Sequence, residues 1–265
     1  MLQREQVDYP LRNLLWTAIF ESTIGLWAED SGYGFPSYRA ERARSLINAI
    51  WCFHFKRPSD SLPSWQHAIA AIRKEFFECE WNEVYDLLEF IAQHSQLETA
   101  FCEFCNTVLE QENSAYRFVG KEIVEIASSA EITEVESALK SGIPAVEEHI
   151  SRGLSFLADR KNPDYRNCIK EAISAVETVC RMFGGGTTLS AALKELKKKV
   201  TIHPALERSL NALYGYTSDE DGIRHSLLET STVTFSDAKF MLVTCSAFAN
   251  YLIGKAAECG LKLNS

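Results

Sequence analysis

Apolar residues recur at three- and four-residue spacing along almost the whole chain, a pattern that predicts a succession of amphipathic helices. Asp8-Tyr9-Pro10 supplies a capping acid and a proline near a first turn, and Leu14, Leu15, Ala18 and Ile19 then mark the inward face of the first helix. Beyond the turn-rich DSGYGFPS, the run from Tyr38 to Phe55 carries Leu46, Ile47, Ile50, Trp51 and His54 at helical steps. SWQHAIAAIRKEFFEC, WNEVYDLLEFIAQH and the stretch from Leu97 to Glu112 continue the pattern. It changes at AYRFVGKEIVEI, where aromatic and β-branched residues alternate with polar ones around Gly120, so a short β-hairpin is expected. Helical spacing returns in EITEVESALKSG and stops at Gly142, with Pro144 beyond it. A domain boundary is drawn there, giving residues 1–143 and 144–265.

The second half reads as a helix bundle with helices at Pro144–Asp159, Asp164–Phe183, Thr188–Lys199, Pro204–Tyr214 and Ser236–Glu258; the three glycines at 184 to 186 separate the second from the third. Ile169, Ala172, Ile173, Val176, Val179, Cys180 and Phe183 form the buried stripe of the second of these helices. Its polar side carries Arg166, Lys170, Ser174, Glu177 and Arg181 in one row, with Asn167 and Glu171 beside it. The expected fold is therefore all-α, two helical domains with a small hairpin between them. No internal repeat is visible, which argues against a solenoid.

Charge changes the picture by its distribution. The net charge of −9 is uneven: residues from 146 onward hold 15 Lys+Arg against 14 Asp+Glu, leaving 12 against 22 for the first 145. An acidic first half does not suit non-specific nucleic-acid binding, whereas the nearly neutral second half carries Lys194, Lys197, Lys198 and Lys199 close together and can hold a phosphate backbone there. A solvated helix face is the plainer reading of those lysines. No uninterrupted apolar run reaches the roughly 20 residues of a membrane span, and MLQREQVDYPLRN has no secretory pattern, so no membrane role and a cytoplasmic location are expected.

Candidate chemistry is sparse. Eight cysteines are scattered through apolar helical positions and read as reduced core residues; Cys102 and Cys105 have CxxC spacing without a second pair or a ligand histidine to complete a metal site. No metal and no cofactor are expected. The five histidines His54, His67, His94, His149 and His203 lack ligand spacing and are assigned structural roles. Tyr214 to Glu229, YGYTSDEDGIRHSLLE, is different, because it sets Arg224 beside His225 among four acids and two tyrosines. A cation next to the side chain that titrates near neutrality suits phosphoester chemistry. Asp219, Glu220 and Asp221 leave a second reading open, a structural network in which they pair with Arg166, Lys170 or Arg224.

DYRNCIKEAISAVETVC, LYGYTSDEDGIRHSLLE and FSDAKFMLVTCSAFANYL together resemble the C-terminal helical domain of bacterial AbiJ-like abortive-infection proteins, a domain similar to the HEPN superfamily. LRNLLWTAIFE, WNEVYDLLEFI, CNTVLEQENSAYRFVGKEIVEI and EITEVESAL resemble the helical domain that precedes it in one AbiJ-like subgroup, so the resemblance spans nearly the whole chain. It implies a HEPN-like up-and-down bundle that dimerises and, in active members, cuts RNA without a metal through an arginine–polar pair and a histidine separated from the arginine by four to six residues. Here those arginine positions before His225 hold Ser218, Asp219 and Glu220. Gly222-Ile223-Arg224-His225 matches the Gly-x-x-His ending of related proteins, and the missing arginine has two replacements, Arg224 or Arg166 with Asn167.

The resemblance thus implies an abortive-infection effector: a metal-independent endoribonuclease with a sensing N-terminal domain, RNA as substrate, and a phage-derived trigger or regulatory protein. Catalytic candidates are His225, Arg224, Arg166 and Asn167; Lys170, Lys197, Lys198 and Tyr216 are candidates for holding RNA, supported by Glu171, Glu177 and Asp221. The alternative is a non-catalytic HEPN-like module that binds RNA, a nucleotide or a protein.

Overall fold

The computed structural model describes residues 2–29, 35–94, 98–126, 128–186, 189–218 and 233–261. These form eleven α-helices and one two-stranded sheet, divided into two compact units, residues 1–127 and 128–265. The all-helical expectation holds, and each unit has its own architecture.

In the first unit, α1 (Tyr9–Ser22) begins where the sequence signals place it: Asp8 accepts from the Leu11 backbone N–H and Pro10 lies in the first turn. Next come α2 (Tyr38–Ala49), capped by Ser37, α3 (Trp65–Glu78), α4 (Trp81–His94) and α5 (Glu98–Gln111). Leu11, Leu15, Ile19, Ile47, Ile72, Phe76, Tyr85, Leu88, Phe101 and Leu109 converge as one apolar core. Arg12 bridges helices by donating to the Phe76 and Cys79 carbonyls at the end of α3. This satisfies carbonyls that a helix C-terminus leaves without intrahelical donors.

The hairpin is present as β1 (Arg117–Val119) and β2 (Glu122–Val124), antiparallel with Val119 opposite Glu122. Gly120 turns at φ +59°, a conformation glycine adopts without steric cost. Asn106 of α5 clasps Phe118 by both backbone groups, and Glu89 of α4 accepts from the Ile123 N–H, so the strands are bonded to helices as well as to each other. The continuous helix expected from Tyr38 to Phe55 is instead α2 followed by a π-helical turn, Ile50–His54. That turn lets Trp51 stay buried and donate its indole N–H to Ser61, while Phe53 faces outward. Apolar spacing cannot distinguish the two helix types over one turn.

The second unit comprises α6 (Ser129–Leu139), α7 (Pro144–Ala158), α8 (Tyr165–Gly184), α9 (Leu189–Leu196), α10 (Pro204–Ser218) and α11 (Phe235–Glu258). Its centre is α8, packed by α7, α9, α10 and α11, with the expected stripe from Ile169 to Phe183 buried. Gly153 brings α7 close to α8, since a Cβ there would lie 3.3 Å from the Cys168 carbonyl and 3.6 Å from Glu171 Cβ. Gly185 and Gly186 take φ values of +81° and +89° and end α8 as the sequence implies.

α11 is the one described helix long and apolar enough to cross a membrane by length and composition, at a mean hydropathy of 1.3. Ala238, Met241, Leu242, Cys245, Ala249 and Leu252 bury one side of it, and its Asn250 donates to Glu134 of α6. One face thus serves the core of the unit.

Candidate functional site

The first turn of α8 is fixed by Asp164. One carboxylate oxygen accepts from the Asn167 backbone N–H at 3.0 Å, and the other accepts from Asn167 Nδ2 at 2.6 Å. Asn167 is therefore held at the cap, with Arg166 half-buried beside it and Lys170 exposed one turn on. The start of α11 lies against this turn: the Tyr165 and Phe235 rings meet edge to face at 6.1 Å, and Cys168 Sγ contacts the Ala238 carbonyl at 3.8 Å. Thr234 and Asp237 form a reciprocal capping box there, whose hydrogen bonds hold the Asp237 carboxyl below its ordinary range.

Tyr216, near the end of α10, completes this corner. Its hydroxyl is pushed above the usual range, first by partial burial and then by the Asp237 carboxylate. The end of α10 and the starts of α8 and α11 thus gather at one pole of the bundle. His225, Arg224 and Asp221 lie outside the described residues.

Other candidates sit elsewhere. Lys197 pairs with Glu207, Lys198 with Glu195 at 2.7 Å, and Lys199 donates to the Phe183 carbonyl at the end of α8. These lysines tie α9 to its neighbours and to itself, at the opposite end of α8 from Arg166. Glu177, grouped by spacing with the polar row, is only 8% exposed, and its carboxylate lies 3.5 Å from Arg181.

Sequence reasoning missed one pair. His149 of α7 donates from Nδ1 to Glu171 Oε2 at 2.7 Å, with the side chains 29% and 15% exposed. Twenty-two residues separate them, and only the close approach of α7 and α8 at Gly153 brings them together. The other described histidines have local roles: His67 meets the Ser64 hydroxyl, His203 Nδ1 accepts from the Ala205 N–H, and His94 stacks on Phe90, which also meets His54.

All eight cysteines are thiols outside any disulfide. Burial pushes Cys168, Cys180 and Cys245 up to about 12 and Cys105 well above its ordinary value, so these four are packing groups rather than nucleophiles. Among the described residues no group of three or more His, Cys, Asp or Glu side chains could hold a metal ion.

The molecule is thus an all-helical protein of two units, the second presenting a polar helix start at the pole where three helix ends meet. Residues 1–141 match the family model of AbiJ N-terminal domain 4, and the chain belongs to that family. No curated protein and no solved structure matches it. The AbiJ domain points to a role in abortive infection, the antiphage response.

Proposed function

We propose that the protein is an abortive-infection effector whose second unit is a HEPN-like, metal-independent endoribonuclease. The observation that carries this reading is the convergence of the α8, α10 and α11 ends. It brings the first turn of α8, which carries Arg166 and Asn167, against the start of α11, and the chain carries Arg224 and His225 in the stretch between α10 and α11. Arg166 or Arg224 stabilises charge developing on the phosphate oxygens, His225 exchanges protons, and Asn167 positions Arg166's turn. RNA integrity after phage infection tests this in cells. Cells carrying the wild-type protein are expected to lose intact RNA and stop growing, while His225→Ala cells keep both; equal RNA loss with the two proteins would sink the reading.

The resemblance also implies a dimer. In its support, α11 turns Phe240, 59% exposed, toward solvent, with half-buried Val243, Ala247 and Tyr251 following at helical steps on the same side. Burying such a stripe against a second copy is favourable at about 25 cal/mol per Å² of apolar surface. Phe240→Asp is expected to convert a dimer to monomer in analytical ultracentrifugation without loss of helicity; an unchanged dimer would place the interface elsewhere.

A non-catalytic binding module is the second reading. It is favoured by the commitment of Asn167, a catalytic candidate, to the Asp164 carboxylate. It predicts retention of RNA without turnover.

A further inference from the structure

The His149–Glu171 pair lies on the same polar face as the α8 start. Glu171 follows Asn167 by four residues, about 6 Å along the helix axis, and exposed Lys170 stands next to it. Across the α7–α8 seam, exposed Arg152 is one turn from His149 and pairs with Glu148. Ser174, half-buried, continues the face. The two helices that carry the pair thus also carry exposed cations, Lys170 and Arg152, the latter shared with the Glu148 carboxylate.

A carboxylate only accepts, so the imidazole nitrogen facing Glu171 carries a hydrogen, and in the neutral ring Nε2 is then the acceptor. Among the described residues Nε2 has no hydrogen-bond partner. A partly exposed ring fixed by a carboxylate on one nitrogen has the arrangement of an oriented general base.

We propose that His149, oriented by Glu171, is a catalytic base for RNA bound along this face of α8; the proposal rests on the ribonuclease reading above. Nε2 takes the proton of a 2′-hydroxyl, the 2′-oxygen forms a bond to the adjacent phosphorus, and the P–O5′ bond breaks. The leaving 5′-oxygen takes a proton from His225, the proton-exchanging residue of the ribonuclease reading, and the His149 imidazolium returns its proton to solvent, from which His225 is reprotonated. The products are a 2′,3′-cyclic phosphate and a 5′-hydroxyl, with no metal or further reactant consumed. Glu171 acts through His149 and is a positioning residue.

Three variants of the full chain test this on a short RNA in EDTA. His149→Ala is expected to slow cleavage at least 100-fold, within the range of a lost general base, with partial recovery on adding imidazole. His149→Asn, whose amide nitrogen takes the place of Nδ1 and can still donate to Glu171, is expected to be equally slow at an unchanged melting temperature. Glu171→Gln is expected to be slowed about 10-fold, as for loss of a partner that orients a ring. Wild-type rates in His149→Asn would overturn the proposal and leave the ribonuclease reading standing. RNA left intact by the wild type would overturn the reading itself, and with it the catalytic role. The ring NMR signals of His149, titrated with a 2′-deoxy oligonucleotide of the same sequence, supply a readout free of turnover. They are expected to move, and signals that stay still would overturn RNA contact at this face.

Discussion

Gly184→Ala is expected to destabilise the second unit by about 3 kcal/mol, the upper end of ordinary overpacking costs, and to lower its melting temperature by roughly 10 °C. Gly184 ends α8 directly beneath α9. A Cβ built there would lie 2.1 Å from the Ala192 carbonyl oxygen and 3.0 Å from the Leu196 nitrogen. Both obstacles are backbone atoms of a helix whose Leu189, Ala192, Leu193 and Leu196 are buried, so neither can swing aside as a side-chain tip would. The whole of α9 has to move, and the Lys199 bond to the Phe183 carbonyl shifts with it. Gly215 and Gly254 are the controls: each is helical and a Cβ there meets nothing within 4 Å. Alanine at either position is expected to be neutral or stabilising by about 0.5–1 kcal/mol through helix propensity. Thermal melts of the three variants decide it, and a Gly184→Ala protein that melts with the wild type would contradict this packing.

The order of the helices was legible in the sequence because their ends are encoded locally. Asp8 with Pro10 and Asp164 each mark a start within four residues, and Gly185 supplies a stop. The hairpin was legible for the same reason, its turn being set by Gly120.

What was not legible depends on partners distant in the chain. The π-helical turn at Ile50–His54 accompanies the seating of Trp51 against Ser61, and no spacing rule contains that contact. The lysines after residue 194 have the composition of a phosphate site, but Glu195 and Glu207 and the end of α8 occupy Lys197, Lys198 and Lys199. Glu177 falls in a polar row when counted in threes and fours, yet α8 rotates it into the packed side. His149 and Glu171 show the same limit from the other direction. Each taken alone belongs to an ordinary helix surface, and they become a pair only through the narrow seam at Gly153, whose glycine is the one sequence signal that could have suggested it.

Removal of His225 is expected to abolish most of the activity. A histidine that exchanges a proton with the reacting oxygen contributes about 10²–10⁴-fold to rate, and a nearby guanidinium adds stabilisation of the phosphate that no neutral side chain reproduces. The variants His225→Ala and Arg166→Ala thus separate two roles. The first removes proton exchange; the second removes a cation from the first turn of α8 while Asp164 and Asn167 keep the cap. A fall of at least 100-fold for His225→Ala and about 10-fold or more for Arg166→Ala is expected, with circular dichroism unchanged for both.

The most direct measurement is incubation of purified wild-type protein and His225→Ala with total bacterial RNA in EDTA, resolved on a denaturing gel. Discrete fragments from the wild type alone are the result expected of a metal-independent ribonuclease centred on the α8 pole. Intact RNA with folded, dimeric wild-type protein, or identical fragments from both proteins, would contradict it.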